Sequence, residues 1–259
     1  MSTDTHAGLN TADLEARVKE MYRQVAEEPH REFHFETGRA LAERLGYPAA
    51  DLDAIPARAI ESFAGVGYFL DFAALQPGDT VLDLGSGSGT DSFLAAVRVG
   101  PTGRVIGVDM TEAQRSKAEQ LATEAGFTNI EFVDGYIEHP AVEPGSVDCV
   151  ISNGVINLAP DKQAVFDAAA HAVRPGGRLA IADIVTAVQL PEGVTCDASL
   201  WAACIGGAAQ QDDYLGYITA AGFDVEETRA NDYHFVSDRA LGATTTYGVT
   251  SISVLARRR

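Results

Sequence analysis

The ten residues Thr80-Val-Leu-Asp-Leu-Gly-Ser-Gly-Ser-Gly89 limit the folds open to this chain more than any other stretch. Val81, Leu82 and Leu84 put apolar side chains on both parities, the pattern of a parallel strand covered on both faces. Gly85, Gly87 and Gly89 then permit positive φ and let a ligand approach the backbone without meeting a Cβ. A helix opening at Thr90-Asp91 aims its free N–H groups at the same point, where a nucleoside-type cofactor can sit. A second strand, Gly103-Arg-Val-Ile-Gly-Val-Asp109, ends in a carboxylate twenty positions beyond Gly89, suited to accept hydrogen bonds from both ribose hydroxyls.

NAD and FAD enzymes use the same device, so the turn alone does not select a cofactor. The discriminating residue is Asp83, two positions before the first glycine. A carboxylate there opposes a pyrophosphate by charge but suits a ligand carrying an ammonium group and a sulfonium centre. With it the motif takes the form Asp-x-Gly-x-Gly-x-Gly and resembles the first motif of the class I S-adenosylmethionine (SAM) methyltransferases.

The rest of the chain alternates strand and helix in step with that resemblance. Strands are expected at Thr80–Leu84, Arg104–Asp109, Ile130–Asp134, Val147–Asn153 and Arg178–Asp183. Helices are expected over Asp91–Val99, Thr111–Ala125 (N-cap Thr111, stop Gly126) and Asp161–Val173. Phe223–Thr228 and Thr250–Ala256 read as two late strands with no full helix between them, which suits the antiparallel hairpin that the resemblance to class I methyltransferases implies. Such alternation implies a Rossmann-like α/β fold: a seven-stranded, mostly parallel sheet with helices on both faces and its ligand at the strands' carboxyl ends.

Three amphipathic stretches precede the sheet, at Thr11–Val25 (capped by Thr11 or Asp13), Gly38–Leu45 and Pro56–Phe63. We read residues 1–69 as an N-terminal helical cap and 70–259 as the SAM-binding domain, with a substrate-side insertion at 184–211. The aromatic runs Phe33-His-Phe35 and Phe63–Phe69 are candidates both for core and for the substrate pocket.

A net charge of −18 excludes the basic footprint that nucleic acid requires. No apolar run reaches membrane length and no leader stands at the N-terminus, so a cytoplasmic protein is expected. Three cysteines without a leader argue against a disulfide framework, and Cys149 in its apolar run reads as a small buried hydrophobe.

By the resemblance, Asp83, Gly85, Ser86, Gly87 and Gly89 surround the methionine part of SAM, Asp109 holds the ribose and Met110 packs on the adenine. Gly135, Tyr136 and Ile137 supply the adenine edge, and Asn153 and Gly154 line the reactive end. Gly107-Val-Asp-Met-Thr111, Gly135-Tyr-Ile-Glu138, Ser152–Leu158 with Pro160-Asp-Lys162, and Leu200–Ala208 together resemble the arsenite methyltransferase family. That family binds As(III) through soft thiolates, and the arsenic lone pair attacks the SAM methyl group. Two of its cysteine positions hold Ser92 and Gly154 here. Cys204 stands at a family arsenic position and Cys196 can complete a two-thiolate site, with an external thiol such as glutathione as a possible third ligand. No resident metal is implied. The alternatives are O-, N-, S- or C-methylation of an organic small molecule, for which Asp183 and His34 are candidate bases, and a non-catalytic SAM-binding partner.

Overall fold

The computed structural model describes residues 9–195, 201, 205–236 and 238–259. One sheet holds β1 (Thr80–Leu84), β2 (Arg104–Asp109), β3 (Ile130–Asp134), β4 (Val147–Asn153), β5 (Val173–Thr186), β6 (Ala209–Gln210), β7 (Phe223–Ala230) and β8 (Thr250–Arg258). Its main path runs β3-β2-β1-β4-β5-β8-β7, the expected seven strands, with the two-residue β6 beside the end of β5. The first five strands are mutually parallel, and β8 runs antiparallel to both neighbours. The late strands do pair antiparallel, but their connection is not the expected hairpin. A ten-residue helix, Asp238–Tyr247, stands between them.

Both faces of the sheet are covered because alternate residues point to opposite sides. Val81, Cys149, Ile151, Ala180 and Ala182 face one apolar cluster, while Leu82, Leu84, Val150, Leu179 and Ile181 face the other. The first cluster takes in α6 (Thr90–Val99) and α7 (Glu112–Ala125). It also takes in the N-terminal elements α1 (Thr11–Glu27), α2 (Arg39–Arg44), α3 (Ala49–Asp53), α4 (Ala57–Glu61) and α5 (Leu70–Ala73). The second is closed by α8 (Lys162–Ala172) and the helix Gln211–Ala220 through Phe166, Tyr214 and Ile218.

Several boundaries differ from expectation for local reasons. The cap of α1 is Asn10, one residue earlier than Thr11; its side chain accepts from the Asp13 N–H at 3.1 Å. Thr111 is the N-cap residue of α7, but its side chain makes no capping bond. β5 starts at Val173, immediately after α8, and is longer than expected at both ends. The short α3 and α5 offered no full amphipathic period to read. Among the described residues, no helix is long and apolar enough to cross a membrane.

The chain passes β1→β2→β3 on one side of β1 and then returns to place β4 on the other. That reversal leaves a crevice at the carboxyl ends of β1 and β4. The turn leaving β1 is tied to β2, because the Gly85 and Ser86 amides both donate to the Val108 carbonyl, at 2.8 and 3.0 Å. Gly89 closes the turn at φ +94, as the N-cap residue of α6. A Cβ there would stand 2.8 Å from Phe93 Cε2 and 2.9 Å from Phe132 Cζ. Gly89→Ala is therefore expected to cost about 2–4 kcal/mol from left-handed strain and overpacking together. Urea unfolding should show a lower midpoint at unchanged slope. A loss below about 0.5 kcal/mol, typical of an indifferent surface change, would contradict this packing.

Candidate functional site

The carboxyl ends of β1 to β4 open onto a cavity of about 260 Å³. Gly85, Ser86 and Gly87 form part of its lining, and Leu14, Val18 and Tyr22 of α1 face it from the opposite element. α1 is held to the glycine turn by a short relay: Gln114 Nε2 donates to the Tyr22 carbonyl at 3.0 Å, and Ser88 Oγ bonds Gln114 Oε1. At the rim, the half-exposed Tyr136 donates its hydroxyl to Glu15 Oε1 at 2.8 Å.

Asp109 receives the Gly87 N–H on Oδ2 at 2.9 Å and the Thr111 N–H on Oδ1 at 2.8 Å. These two amides fix the carboxylate in place, and each oxygen retains a further acceptor site for a ligand hydroxyl. Met110, Gly135 and Ile137 continue the same wall.

Deeper in, Asp83 and Asp91 both line the cavity and are 2% and 7% exposed. Asp83 accepts from Ser92 Oγ. Asp91 accepts from the Tyr47 hydroxyl at 2.6 Å and from Asn153 Nδ2 at 2.9 Å. Asn153 Oδ1 in turn accepts from the Val66 N–H at 2.8 Å, which fastens the loop before α5 to the end of β4. Burial, then the adjacent Asp91 charge, pushes the Asp83 carboxyl up to about 8. Burial pushes Asp91 up to about 6, resisted by the hydrogen bonds from Tyr47 and Asn153. Ser86 Oγ, in the same lining, is buried with no hydrogen-bond partner among the described residues.

Most of the residues expected around a cofactor thus share one space: Asp83, Gly85, Ser86, Gly87, Asp109, Met110, Gly135, Tyr136, Ile137 and Asn153. Gly89 and Gly154 do not line it. Gly89 packs on Phe93, and Gly154, at φ +72, turns the chain so that its N–H meets the Ala182 carbonyl at 2.8 Å. Asp183 lies outside the lining, 1% exposed, with Oδ1 bonded to Asn157 Nδ2 (2.6 Å) and Oδ2 to the Tyr214 hydroxyl (2.7 Å). His34 stacks edge-on against Phe35 at 4.7 Å, also outside the lining. Cys196 and Cys204 lie outside the described residues. Cys149, on β4, is fully buried, and burial pushes its thiol up to about 12.

Sequence reasoning did not single out Asp91 or Tyr47 for this site. Asp91 was findable: the glycine turn returns the chain so that the first turn of α6 faces the end of β1. Tyr47 carried no such signal, since it comes from the loop after α2.

Residues 75–222, more than half of the chain, match the methyltransferase domain family. The chain belongs to that family. Among curated methyltransferases, the arsenite methyltransferase of Halobacterium salinarum is 45% identical over 205 residues, covering 78% of this chain and 52% of that protein. The human arsenite methyltransferase is 42% identical over 137 residues, covering 49% of this chain and 36% of its own length. The chain spans about half, or less, of the length of these relatives. Among solved methyltransferase structures, the arsenic(III) S-adenosylmethionine methyltransferase of Chlamydomonas reinhardtii superposes with a TM-score of 0.62. It is 29% identical and covers 85% of this chain and 73% of that one. A geranyl diphosphate C-methyltransferase from Streptomyces coelicolor A3(2), 16% identical, shares the fold at a TM-score of 0.69 over 96% and 99% of the two chains.

The buried carboxyls of this chain make its stability depend on pH. Both groups hold protons in the folded state at pH values where the unfolded chain has released them. Stability should therefore fall as pH rises through the range between the unfolded and folded values, with the Asp91 contribution levelling off near about 6 and the Asp83 contribution near about 8. Asp83→Asn should flatten the upper part of that decline. Urea midpoints of ligand-free protein across this range test it, and midpoints rising with pH in the parent protein would refute it.

Proposed function

We propose that the protein is a SAM-dependent methyltransferase of a small molecule, and that its acceptor is arsenite. The observation that carries the cofactor reading is the pair Asp83 and Asp91, buried in the cavity with no salt bridge to either among the described residues. Two carboxyls raised in this way fit a cationic ligand, and Ser86 Oγ, without a partner among the described residues, adds a polar atom to the same lining. When bound, SAM supplies an electrophilic methyl group on a sulfonium centre. The chain's own work is to hold and enclose. Asp83 and Asp91 would meet the ammonium, Asp109 the ribose hydroxyls, and the positive-φ glycines Gly85 and Gly87 would leave the backbone open to the ligand. Residues 9–69 would act as the cap that excludes water from the transfer, with α1 over the cavity.

Arsenite is supported by the 45% identity to the Halobacterium salinarum arsenite methyltransferase over 78% of the chain. Cys196 and Cys204 would bind the arsenic, with an external thiol completing the set. A cytoplasmic setting would keep those thiols reduced. A second reading, an organic acceptor, is favoured by the apolar surface that Phe63, Val155 and Leu158 give the cavity, and by Ser92 and Gly154 at two family cysteine positions.

Purified protein with arsenite and glutathione should consume SAM, and both Cys196→Ser and Cys204→Ser should abolish this. Absence of turnover with calorimetric SAM binding intact would sink the arsenite assignment and direct the search to organic acceptors. SAM binding with no turnover over a broad acceptor panel would make the chain a silent partner subunit. The carboxyl pair also sets the pH dependence of binding. A cation displaces the proton from Asp83, and below about pH 6 from Asp91 as well, so SAM affinity should rise with pH up to about 8, more steeply below about 6, and level off above. Calorimetry in buffers of different ionisation enthalpy should detect the released proton, and a pH-independent affinity would remove these groups from the cofactor site.

A further inference from the structure

Lys162 opens α8 and is only 7% exposed. An ammonium is poorly suited to a helix N-terminus, where the backbone already carries positive potential. Here Nζ donates to the Ala159 carbonyl at 3.0 Å and to the Asn157 carbonyl at 3.3 Å, and lies 4.9 Å from the centre of the Trp201 ring. Trp201 is fully buried and donates from Nε1 to the Thr195 carbonyl at 2.7 Å. Gly206 and Gly207 make room for its ring, because a Cβ at either would come within 2.4 or 2.5 Å of it. Gly207 also passes against Asn157, whose carbonyl oxygen would stand 2.0 Å from such a Cβ. One ammonium therefore lies between the chain that follows β5 and the turn 157–160. Leu158, Ala159 and Pro160 of that turn line the cavity.

We propose that Lys162 is a positioning residue whose ammonium clamps Trp201 to the turn 157–160 and so holds the cavity wall on its methyl-acceptor side. The word acceptor rests on the function proposed above; the clamp itself does not. Asp183 on β5, Asp161 before α8 and Glu138 after β3 face Lys162 and favour its charge, and the Tyr214 hydroxyl donates to Asp183. Burial outweighs them and pushes the ammonium down to about 8, so the clamp loosens as pH passes that value.

Trp201 is the single tryptophan of the chain, so indole fluorescence of the full-length protein reads the clamp without any acceptor. The parent protein should show an emission transition centred near pH 8. Lys162→Met should lack it, and Lys162→Arg, which stays charged, should hold the low-pH emission throughout. With arsenite and glutathione as acceptor mixture, Lys162→Met should raise the acceptor KM by about tenfold, within the range of a desolvated cation–π contact, with SAM affinity unchanged. Lys162→Arg should restore it. The melting temperature of Lys162→Met should fall only modestly, because the desolvation cost of a buried cation is removed while the Asn157 and Ala159 carbonyls lose a donor. A transition that persists in Lys162→Met, or is missing from the parent, would overturn the clamp whatever the acceptor. So would a marked fall in melting temperature with loss of SAM affinity, which would make Lys162 a general structural residue. The expected fluorescence in a parent protein that does not bind SAM would support the clamp while overturning the cofactor reading.

Discussion

Two carboxyl groups buried together at the end of β1 and the start of α6 set the terms for the rest of this molecule. Burying an ionised carboxylate without a counter-charge is costly, so each must be protonated, hydrogen-bonded or met by a ligand cation. The structure supplies the bonds from three separate parts of the chain: Ser92 on α6, Tyr47 after α2 and Asn153 at the end of β4. Asn153 also receives the Val66 amide, and Tyr47 packs edge-on against Phe63 and Tyr68. The N-terminal helices are thus joined to the sheet through the polar centre of the site as well as through the apolar core. The N-terminal helices and the cavity are one construction.

The same pair explains why the site was only partly legible. β1, β2, β3 and β4 begin and end at the residues read from the sequence, because each is a short apolar run bounded by glycine, asparagine or aspartate. The glycine turn, Asp109 and the loop after β3 follow from where those strands end. What escaped were contacts between distant segments. Tyr47 meets Asp91 across forty-four positions, a pairing that no local pattern encodes. The helix Asp238–Tyr247 escaped for the opposite reason: its residues include Gly242 and a run of threonines at 244–246, which are weak helix formers and read as connection.

The two substituted family positions acquire different meanings in three dimensions. Ser92 is fully buried beneath the cavity, and its hydroxyl serves Asp83. A hydroxyl is a stronger donor than a thiol, so serine there serves the buried carboxyl better than cysteine would. Gly154 sits at φ +72, where a side chain is strained and its Cβ would come 3.1 Å from Val66 Cγ1. In this chain Ser92 serves the buried carboxyl and Gly154 the close approach of the loop before α5.

That division shifts the weight of acceptor chemistry onto the other side of β4. The turn 154–160 leaves β4 with Asn153 at its root and Lys162 at its far end. It carries Val155, Leu158, Ala159 and Pro160 into the cavity between them. Its outer side is fastened to Asp183 through Asn157 and to Trp201 through Lys162, so its shape depends on the chain that follows β5. If arsenic is the acceptor, its thiolates must come from that chain and from an external thiol, since the described part of the cavity offers carboxyls, hydroxyls, amides and apolar surface but no sulfur ligand beyond the thioether of Met110. A soft metalloid would gain little from such a wall, whereas an apolar organic molecule would gain contact along its whole length. The choice between the two proposed acceptors is therefore a question about Cys196 and Cys204 and not about the carboxyl end of the cavity.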